Sequence, residues 1–454
     1  MTLDESFQHC AVLGAAGKMG QGIAALVLQE MAKLELNKCG RTGTGNFSLA
    51  LIDADETGFP RLKNYLKTQL NKYAEKQIVP IRKVYSSCPQ LVSNQDIVQA
   101  FVDGAMNMIT CSTYLEEAVK AHLVFEALPE SMMIKSQKLN FLVKNAPHPQ
   151  HYFSNTSSIP IFMLNAYGAL NHHITGLHFY NPAPVQKLIE ISLPENVDET
   201  TKEFAIEIAQ RFGKTIIYTK DLPGFIGNGY FIREVAFADA LLDKLGQLFE
   251  SSAAIYAVNR LTQEFLIRPM GIFQLIDFVG IQVCVNIAQT MASLLQEPGV
   301  LAKTILQLNE KGITGGLGQN GSQAPGYFKY DAKGNPVAVY DINKETYIDL
   351  HDPAISRVKD LLGPLPEGHV NWKDAHSPEQ LQKYFQNLVK SQTMGCQIVK
   401  EYLRACHNIA QVLVDTNIAQ SSEDVNTVVK LGFHQLYGPL DSWVKELLQK
   451  EVPA

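Results

Sequence analysis

Residues 9–24 read HCAVLGAAGKMGQGIA, and this stretch decides the fold of the N-terminal half. A short apolar run, His9–Leu13, precedes a glycine-rich turn, and an amphipathic segment, Ile23–Leu36, follows it, so the order is strand, turn and helix. The turn contains Gly14, Gly17 and Gly20, and Lys18 and Met19 lie between the last two glycines. Glycines here let the backbone approach a pyrophosphate at the helix N-terminus. The stretch predicts the start of a dinucleotide-binding domain.

The next predicted strand, Leu49–Asp53, ends in a carboxylate. Asp53 is placed to accept hydrogen bonds from a ribose 2′-hydroxyl, and it would repel a 2′-phosphate, so NAD is favoured over NADP. Two features depart from the common pattern: the glycine spacing is GxxGxxG, and Asp53 lies 39 residues after Gly14. A polar loop at 37–48 explains most of the extra length. A tight turn that binds no ligand stays open as the alternative.

Strand and helix patterns alternate along the rest of the N-terminal half, as a doubly wound sheet requires. The predicted strands are Asn107–Thr110, His122–Leu128, Tyr152–Ser154 and Thr215–Tyr218, and the predicted helices are Arg61–Lys76, Leu115–Lys120, Met132–Lys144 and Glu203–Arg211. We therefore expect an α/β, Rossmann-like domain. Cofactor and substrate groups lie at the carboxyl ends of such strands, where Glu126, Glu130 and Ser157 fall. As alternatives, Ser157 could cap the helix beginning near Pro160, and Glu130 could be a solvated carboxylate.

Residues 176–193, GLHFYNPAPVQKLIEISL, place a histidine and a glutamate on two predicted strands. Ile174–Tyr180 and Lys187–Leu193 flank a proline-containing turn, and proline is excluded from the interior of a sheet. A strand–turn–strand of this length can bring His178 and Glu190 together. A carboxylate beside an imidazole fixes its tautomer and raises its basicity, as a general base requires. A core histidine beside a strand-end carboxylate is the alternative.

The pattern becomes helical after Pro223-Gly224, which we take as a domain boundary. Asn228 falls in the first turn of the new helix, where it could contact substrate or cap the helix. A repeat follows, because VNRLTQEFLIRPMGIFQLID from Val258 and VNTVVKLGFHQLYGPLDSWV from Val425 both place a glycine thirteen residues after the valine. We expect an all-α C-terminal region of two related domains. The predicted domains are 1–222, 223–331, a linker region at 332–390 whose nature stays open, and a partial second copy at 391–454.

Composition excludes several classes of protein. The chain has 454 residues and a net charge of −6, which argues against a nucleic-acid partner. Seven scattered cysteines form no CxxC motif, which suits reduced thiols in the cytoplasm and predicts neither a disulfide framework nor a metal site. No apolar stretch reaches the roughly 18 residues of a membrane span. The N-terminus, MTLDESFQHC, has neither the pattern of a signal peptide nor that of a transit peptide.

The chain resembles the 3-hydroxyacyl-CoA dehydrogenase family from Cys10 to about Asp331. The shared motifs are GxMGxGIA at 17–24, FEALPE, SNTSS at 154–158, GLHFYNPAPVQKLIEI and DLPGFIGN at 221–228. The resemblance implies NAD as cofactor, an acyl-CoA as small-molecule substrate, His178 as general base and Glu190 as its partner. It also implies that Ser157 and Asn228 hold the substrate and that Glu130, Lys135 and Asn181 touch the cofactor. A loose alignment places Lys72 or Lys76 near CoA.

In this family the helical C-terminal domain is often a dimerisation surface, so two copies imply an internal pseudo-dimer or a homodimer. Three departures stand out: the longer glycine loop, Gly229 where the family usually has Arg, and no Lys in the glycine-rich motif at 315–331. No hydratase half is present in the sequence. Oxidation of a 3-hydroxyacyl-CoA is the leading hypothesis for the function. Oxidation of a free 3-hydroxy acid, a polyol or carnitine, and a non-catalytic NAD-binding role, stay open.

Overall fold

The computed structural model describes residues 1–318, 321–375 and 377–449, except for the side chain of Ser87. The chain divides into two compact units, the first comprising Met1–Leu222 and the second beginning at Pro223. Each unit is described separately below.

The first unit is built on one eight-stranded sheet. Its strands are β1 (His9–Leu13), β2 (Ser48–Ile52), β3 (Ile109–Ser112), β4 (Leu123–Glu126), β5 (His151–Ser154), β6 (Ile174–Phe179), β7 (Leu188–Ser192) and β8 (Thr215–Thr219). Their order is β3-β2-β1-β4-β5-β6-β7-β8. Neighbouring strands are parallel except β6 and β7, which pair antiparallel. The predicted α/β, Rossmann-like sheet is confirmed.

Helices cover both faces of this sheet. They are α1 (Leu3–Ser6), α2 (Lys18–Cys39), α3 (Phe59–Lys76), α4 (Ile78–Val84), α5 (Asn94–Met106), α6 (Met132–Asn145), α7 (Ile161–Gly168) and α8 (Glu199–Arg211). Short 3₁₀ turns occupy Glu56–Gly58, Tyr85–Ser87 and Leu115–Ala118. One apolar core joins β-strand side chains to α2, α3, α5 and α8, and the other joins them to α6 and α7. Strand side chains alternate between these two cores, so both faces are dry.

The second unit is mainly helical. Its helices are α9 (Gly227–Leu245), α10 (Ser251–Arg260), α11 (Ile272–Val279), α12 (Ile281–Leu294), α13 (Lys303–Glu310), α14 (Pro353–Leu362), α15 (Pro378–Lys390), α16 (Met394–Asp415), α17 (Ser422–Gly432) and α18 (Ser442–Gln449). A π-helical turn spans Leu261–Phe265, and 3₁₀ turns span Pro298–Val300 and Trp372–Asp374. A small antiparallel sheet orders β9 (Phe328–Tyr330), β10 (Pro336–Asp341) and β11 (Thr346–Asp349) as β11-β10-β9. Its second and third strands lie in the predicted linker region at 332–390, whose nature the sequence left open. Residues 319–320 of the glycine-rich motif lie outside the described residues.

Equivalent contacts recur in the two sequence repeats. In the first, the Asn259 side-chain oxygen accepts the Gln274 N–H at 3.1 Å, and a Cβ on Gly271 would lie 2.2 Å from that same oxygen. In the second, Asn426 and Gly438 lie 167 residues after Asn259 and Gly271. The oxygen of Asn426 accepts the Leu440 N–H, one residue before the position equivalent to Gln274, at 2.9 Å, and a Cβ on Gly438 would lie 2.2 Å from it. Helices α9 and α16 also begin 167 residues apart. These contacts support a duplication; residues 450–454 of the predicted second copy lie outside the described residues.

Within the described part of the chain, no single helix combines the length and apolar composition of a membrane span. The pair α11 and α12 meets both criteria when taken together, but it bends by 96°.

Candidate active site

His178 and Glu190 lie directly opposite each other on the antiparallel pair β6–β7. The imidazole Nδ1 is 3.1 Å from Glu190 Oε1. Glu190 is fully buried, and His178 is 8% exposed. A carboxylate accepts hydrogen bonds, so an ionised Glu190 pairs with the tautomer of His178 that carries a proton on Nδ1. The arrangement provides a histidine with a fixed tautomer and an imidazole nitrogen that can accept a proton.

A third side chain contacts the same carboxylate oxygen. The Tyr180 hydroxyl donates to Glu190 Oε1 at 2.7 Å. Burial, together with the neighbouring Glu190 charge, raises the pKa of Tyr180 well above its usual value, so the hydroxyl keeps its proton. The sequence motif contains this tyrosine, but only the folded pair of strands shows which atom it reaches.

Ser157 belongs to a loop that Glu130 holds in place. Glu130 Oε1 accepts hydrogen bonds from the Thr156 hydroxyl at 2.6 Å, the Ser157 N–H at 3.0 Å and the Ser158 N–H at 2.9 Å. Burial alone would raise the pKa of Glu130, but Lys135 and these donors outweigh it and lower the pKa to about 2. Glu130 is therefore an ionised clamp on the loop after β5, and the reading of it as a solvated carboxylate is wrong.

The alternative role of Ser157 as a helix cap is also wrong. The N-cap residue of helix α7 is Pro160, whose own side chain makes no capping hydrogen bond. Asp221, 60 residues further along the chain, accepts the N–H groups of Ile161 and Phe162 at 2.6 and 2.7 Å. The Ser157 hydroxyl is half-buried and lies 3.4 Å from Glu130 Oε1. Ser157 therefore contacts Glu130, and Asp221 caps α7. Both carboxylates are distant in the sequence from the groups that they bind.

Lys135 lies beneath the same loop. Its ammonium group is 2.7 Å from Glu126 and 3.3 Å from Glu130, and it donates to the Leu128 carbonyl at 3.1 Å. The side chain is 1% exposed. Burial opposes its charge, but the two carboxylates prevail and raise the pKa of Lys135. The described contacts make Lys135 a support for Glu130, and direct contact with a cofactor stays a prediction.

The glycine turn has the shape of a phosphate-binding loop. Gly14 has φ +74°, and a Cβ on Gly20 would lie 2.0 Å from the Gly14 carbonyl oxygen. Gly17 is the N-cap of α2 and has no side chain with which to cap that helix end. Lys18 is exposed and Met19 half-buried in the first turn. Backbone N–H groups at a helix start suit a pyrophosphate, so these residues fit the dinucleotide predicted from the sequence.

Asp53 contacts the glycine turn directly. It follows β2, its Oδ2 accepts the Ala16 N–H at 2.9 Å, and its Oδ1 accepts the Asp55 N–H at 3.2 Å. The long sequence separation from Gly14 reflects the 22-residue helix α2 and the loop after it. Arg61, which the sequence analysis did not single out, donates to the Ala16 carbonyl at 3.1 Å. A half-exposed carboxylate beside the turn fits a ribose hydroxyl.

The loop between β6 and β7 carries Asn181, and hydrogen bonds from Lys214 hold this loop in place. Lys214 donates from Nζ to the carbonyls of Ala183 at 2.5 Å and Gln186 at 2.6 Å. Burial lowers the pKa of Lys214 to about 8. The Asn181 side chain is half-buried, and the Asn181–Pro182 bond is cis. A role of Asn181 at the cofactor stays a prediction.

Three further predicted residues lie on helices α3 and α9. Lys72 and Lys76 are exposed on α3, about 16 and 22 Å along the helix axis from Arg61 at the rise of an α-helix. Asn228 is half-buried in the first turn of α9, in the second unit. The proposed roles of all three stay predictions.

The first unit thus combines a dinucleotide cradle with a tautomer-fixed histidine, which defines the class of nicotinamide-dependent dehydrogenases. Residues 9–222 match the family model for the NAD-binding domain of 3-hydroxyacyl-CoA dehydrogenase, and residues 224–322 match the model for its C-terminal domain. The chain belongs to the 3-hydroxyacyl-CoA dehydrogenase family. It is accordingly an NAD-dependent oxidoreductase acting on CH–OH groups.

Relatives and solved structures agree with this assignment. The chain is 30% identical over 232 residues to a probable 3-hydroxybutyryl-CoA dehydrogenase from Bacillus subtilis, covering 51% of this chain and 77% of that protein. It is 28% identical over 275 residues to the mitochondrial hydroxyacyl-coenzyme A dehydrogenase of Sus scrofa, covering 60% and 76%. The structure of 3-hydroxybutyryl-CoA dehydrogenase from Escherichia coli K12 superposes with a TM-score of 0.63 at 19% identity, over 97% of this chain and 91% of that one. That last likeness concerns the fold alone.

Proposed function

We propose that this chain is a (3S)-3-hydroxyacyl-CoA dehydrogenase that oxidises a 3-hydroxyacyl-CoA to the 3-oxoacyl-CoA. His178 is the general base and Glu190 is its partner. The observation that carries the proposal is the 3.1 Å contact between His178 Nδ1 and the buried Glu190 carboxylate. The names of the Bacillus and Sus relatives, both of which are CoA-ester dehydrogenases, support the substrate class.

The residue types suit the removal of a proton and a hydride from one carbon–oxygen unit. NAD, when bound, supplies the hydride acceptor. The substrate hydroxyl gives its proton to Nε2 of His178, and the Glu190 charge stabilises the imidazolium that forms. General base catalysis of this kind contributes about 10²- to 10⁴-fold. The Ser157 hydroxyl, held by the Glu130 clamp, and the Asn228 amide orient the substrate oxygen and thioester in this proposal.

The cofactor side of the proposal rests on the glycine turn and Asp53. The N–H groups at the start of α2 hold the pyrophosphate, and Asp53 accepts from the ribose hydroxyls. A carboxylate at that position repels a 2′-phosphate, so NAD is used in preference to NADP. Glu130 acts through the loop that it clamps.

The test compares CoA-ester turnover in the wild type and in His178→Gln, following NADH consumption with acetoacetyl-CoA. We expect kcat to fall at least about 100-fold in the variant while NADH binding, measured by fluorescence, is unchanged. His351→Gln replaces an exposed histidine of the second unit and serves as the control, with kcat within about twofold of wild type. Free acetoacetate tests the alternative substrates.

Two outcomes would contradict the proposal. His178→Gln could retain kcat within about threefold of wild type, which would show that His178 is not the general base. Alternatively, acetoacetate could turn over as efficiently as acetoacetyl-CoA, which would favour a free 3-hydroxy acid as substrate. A screen of acyl chains from C4 to C16 then defines the chain length.

We also propose that the two helical copies form an internal pseudo-dimer, so that one chain is the working unit. Within the second unit the copies share a buried cluster, in which the Tyr402 hydroxyl donates to Glu234 at 2.9 Å and Arg268 pairs with the same carboxylate. Sedimentation should therefore give the mass of a single 50.3 kDa chain. A mass of two chains would contradict this.

We place the protein in the cytoplasm, consistent with seven free cysteines.

A further inference from the structure

The Glu190 carboxylate receives two donors on one oxygen. Tyr180 begins the loop after β6, and its hydroxyl is 2.7 Å from Glu190 Oε1. The Nδ1 atom of His178 is 3.1 Å from that same oxygen. The two rings lie close together, with centroids 5.1 Å apart. Because both groups contact the same oxygen, the Glu190 carboxylate interacts with Tyr180 as well as with His178.

We infer that Tyr180 is a positioning residue that sets the pH range of the reaction by sharing Glu190 Oε1 with His178. The inference rests on the proposed function, because it concerns the proton affinity of the proposed base. It goes further by assigning a role to a side chain outside the proposed catalytic pair.

The physical reason is competition for one negative charge. Protonation of His178 at Nε2 turns Nδ1–H into a cationic donor, which draws strongly on the carboxylate. The Tyr180 O–H already draws on the same oxygen, so less of its charge is available to stabilise the imidazolium. The tyrosine therefore lowers the proton affinity of the base and fixes the carboxylate rotamer. It remains a donor throughout the working pH range, because burial keeps its own hydroxyl protonated.

Other charged groups on the neighbouring elements of this unit have partners of their own. Asp221, after β8, accepts the Ser192 hydroxyl at 3.0 Å besides the two N–H groups of α7. Glu126 and Glu130, after β4, pair with Lys135. On β8 the residue paired with Glu190 is Ile217, which carries no charge. Removal of the Tyr180 hydroxyl should leave these groups unchanged.

Tyr180→Phe deletes the hydroxyl and keeps the ring. The expected result is that the midpoint of the kcat/KM profile for oxidation moves up by about half a pH unit to one unit, with the plateau kcat within about fivefold of wild type. Tyr152→Phe is the matched control, because that hydroxyl donates at 2.9 Å to the neutral Gln150 amide within the same sheet, near the amino end of β5. Its midpoint should equal that of wild type.

A second variant predicts the opposite sign. Tyr180→3,5-difluorotyrosine keeps the shape and gives a more acidic, stronger donor, so the midpoint should move down. Nitrogen-15 NMR of the histidine side chains, assigned with His178→Gln, follows the protonation of the imidazole without any need for turnover. The imidazole midpoint should rise in Tyr180→Phe and fall in the fluorinated protein.

The outcomes separate this inference from the proposed function. If His178→Gln retains activity, the proposed function fails, and the NMR midpoints still decide whether Tyr180 tunes the imidazole. If His178→Gln is inactive but both Tyr180 variants titrate within about 0.2 pH units of wild type, the inference alone is overturned. It is also overturned if the two variants shift the midpoint in the same direction, or if Tyr152→Phe shifts it as much as Tyr180→Phe.

Discussion

Glu190→Gln tests how much of the catalytic power comes from the charge beside His178. The substitution keeps the shape of the side chain and an acceptor oxygen, and it removes the negative charge that would face the imidazolium. His178 Nδ1 and Glu190 Oε1 are 3.1 Å apart. Coulomb's law with an effective dielectric constant of about 20 gives about 5 kcal/mol for two full charges at this separation. The Tyr180 hydroxyl shares the oxygen, and the amide dipole of glutamine recovers part of the interaction. About half the Coulomb energy should therefore be lost.

A loss of about 2.7 kcal/mol in the transition state corresponds to a decrease of about 100-fold in kcat. The assay is reduction of acetoacetyl-CoA by NADH at pH 7, with NADH binding and thermal unfolding measured on the same samples. Glu195→Gln is the control, since it replaces an exposed carboxylate in the loop after the same strand, and its kcat should equal that of wild type. If folded Glu190→Gln, with NADH bound normally, works within about threefold of wild type, the electrostatic reasoning is refuted.

Two further predictions concern stability. Gly438→Ala would bring a Cβ within 2.2 Å of Asn426 and should cost about 1–3 kcal/mol in urea unfolding, while Gly299→Ala, where nothing lies within 4 Å, should stay within about 0.5 kcal/mol. His151 is 8% exposed, and burial lowers its pKa from 6.5 to about 4. The unfolded chain therefore binds the proton first, and stability should fall by up to about 3 kcal/mol as the pH drops from about 6.5 to about 4. His151→Gln should flatten that part of the urea-unfolding profile, and an unchanged slope would contradict this account.

The elements that the sequence predicts best are those whose signals are local. The glycine turn, the carboxylate that follows β2 and the pair of strands around Pro182 each combine a hydrophobic period with a turn residue, and both are visible within about 20 residues. Those signals were enough to predict that the Pro-containing turn can bring His178 and Glu190 together. The register that pairs them directly is seen only in the structure.

The supporting contacts could not be predicted, because their partners are distant in the sequence. Asp221 binds the first N–H groups of α7 from 60 residues away, and no pattern around Ser157 indicates this. The contacts of Lys135 with Glu126 and Glu130 were likewise not predicted. In the second unit the Tyr384 hydroxyl donates to the carbonyl of Phe265 across 119 residues, and the region containing this tyrosine had no predicted structure.

Four carboxylates of the first unit show how partners assign roles to identical chemical groups. Asp53 is half-exposed and accepts backbone N–H groups of its own turn, which leaves it able to meet a ligand. Glu130 is held ionised by a lysine and several donors, and burial raises the pKa of Asp221, whose oxygens bind a helix start; both fix loops. Glu190 differs from these three because one of its donors, His178, can itself gain a proton. Its charge can therefore respond to chemistry at the imidazole, whereas the other three carboxylates hold local structure. This difference is our reason for proposing the β6–β7 pair as the place of proton transfer.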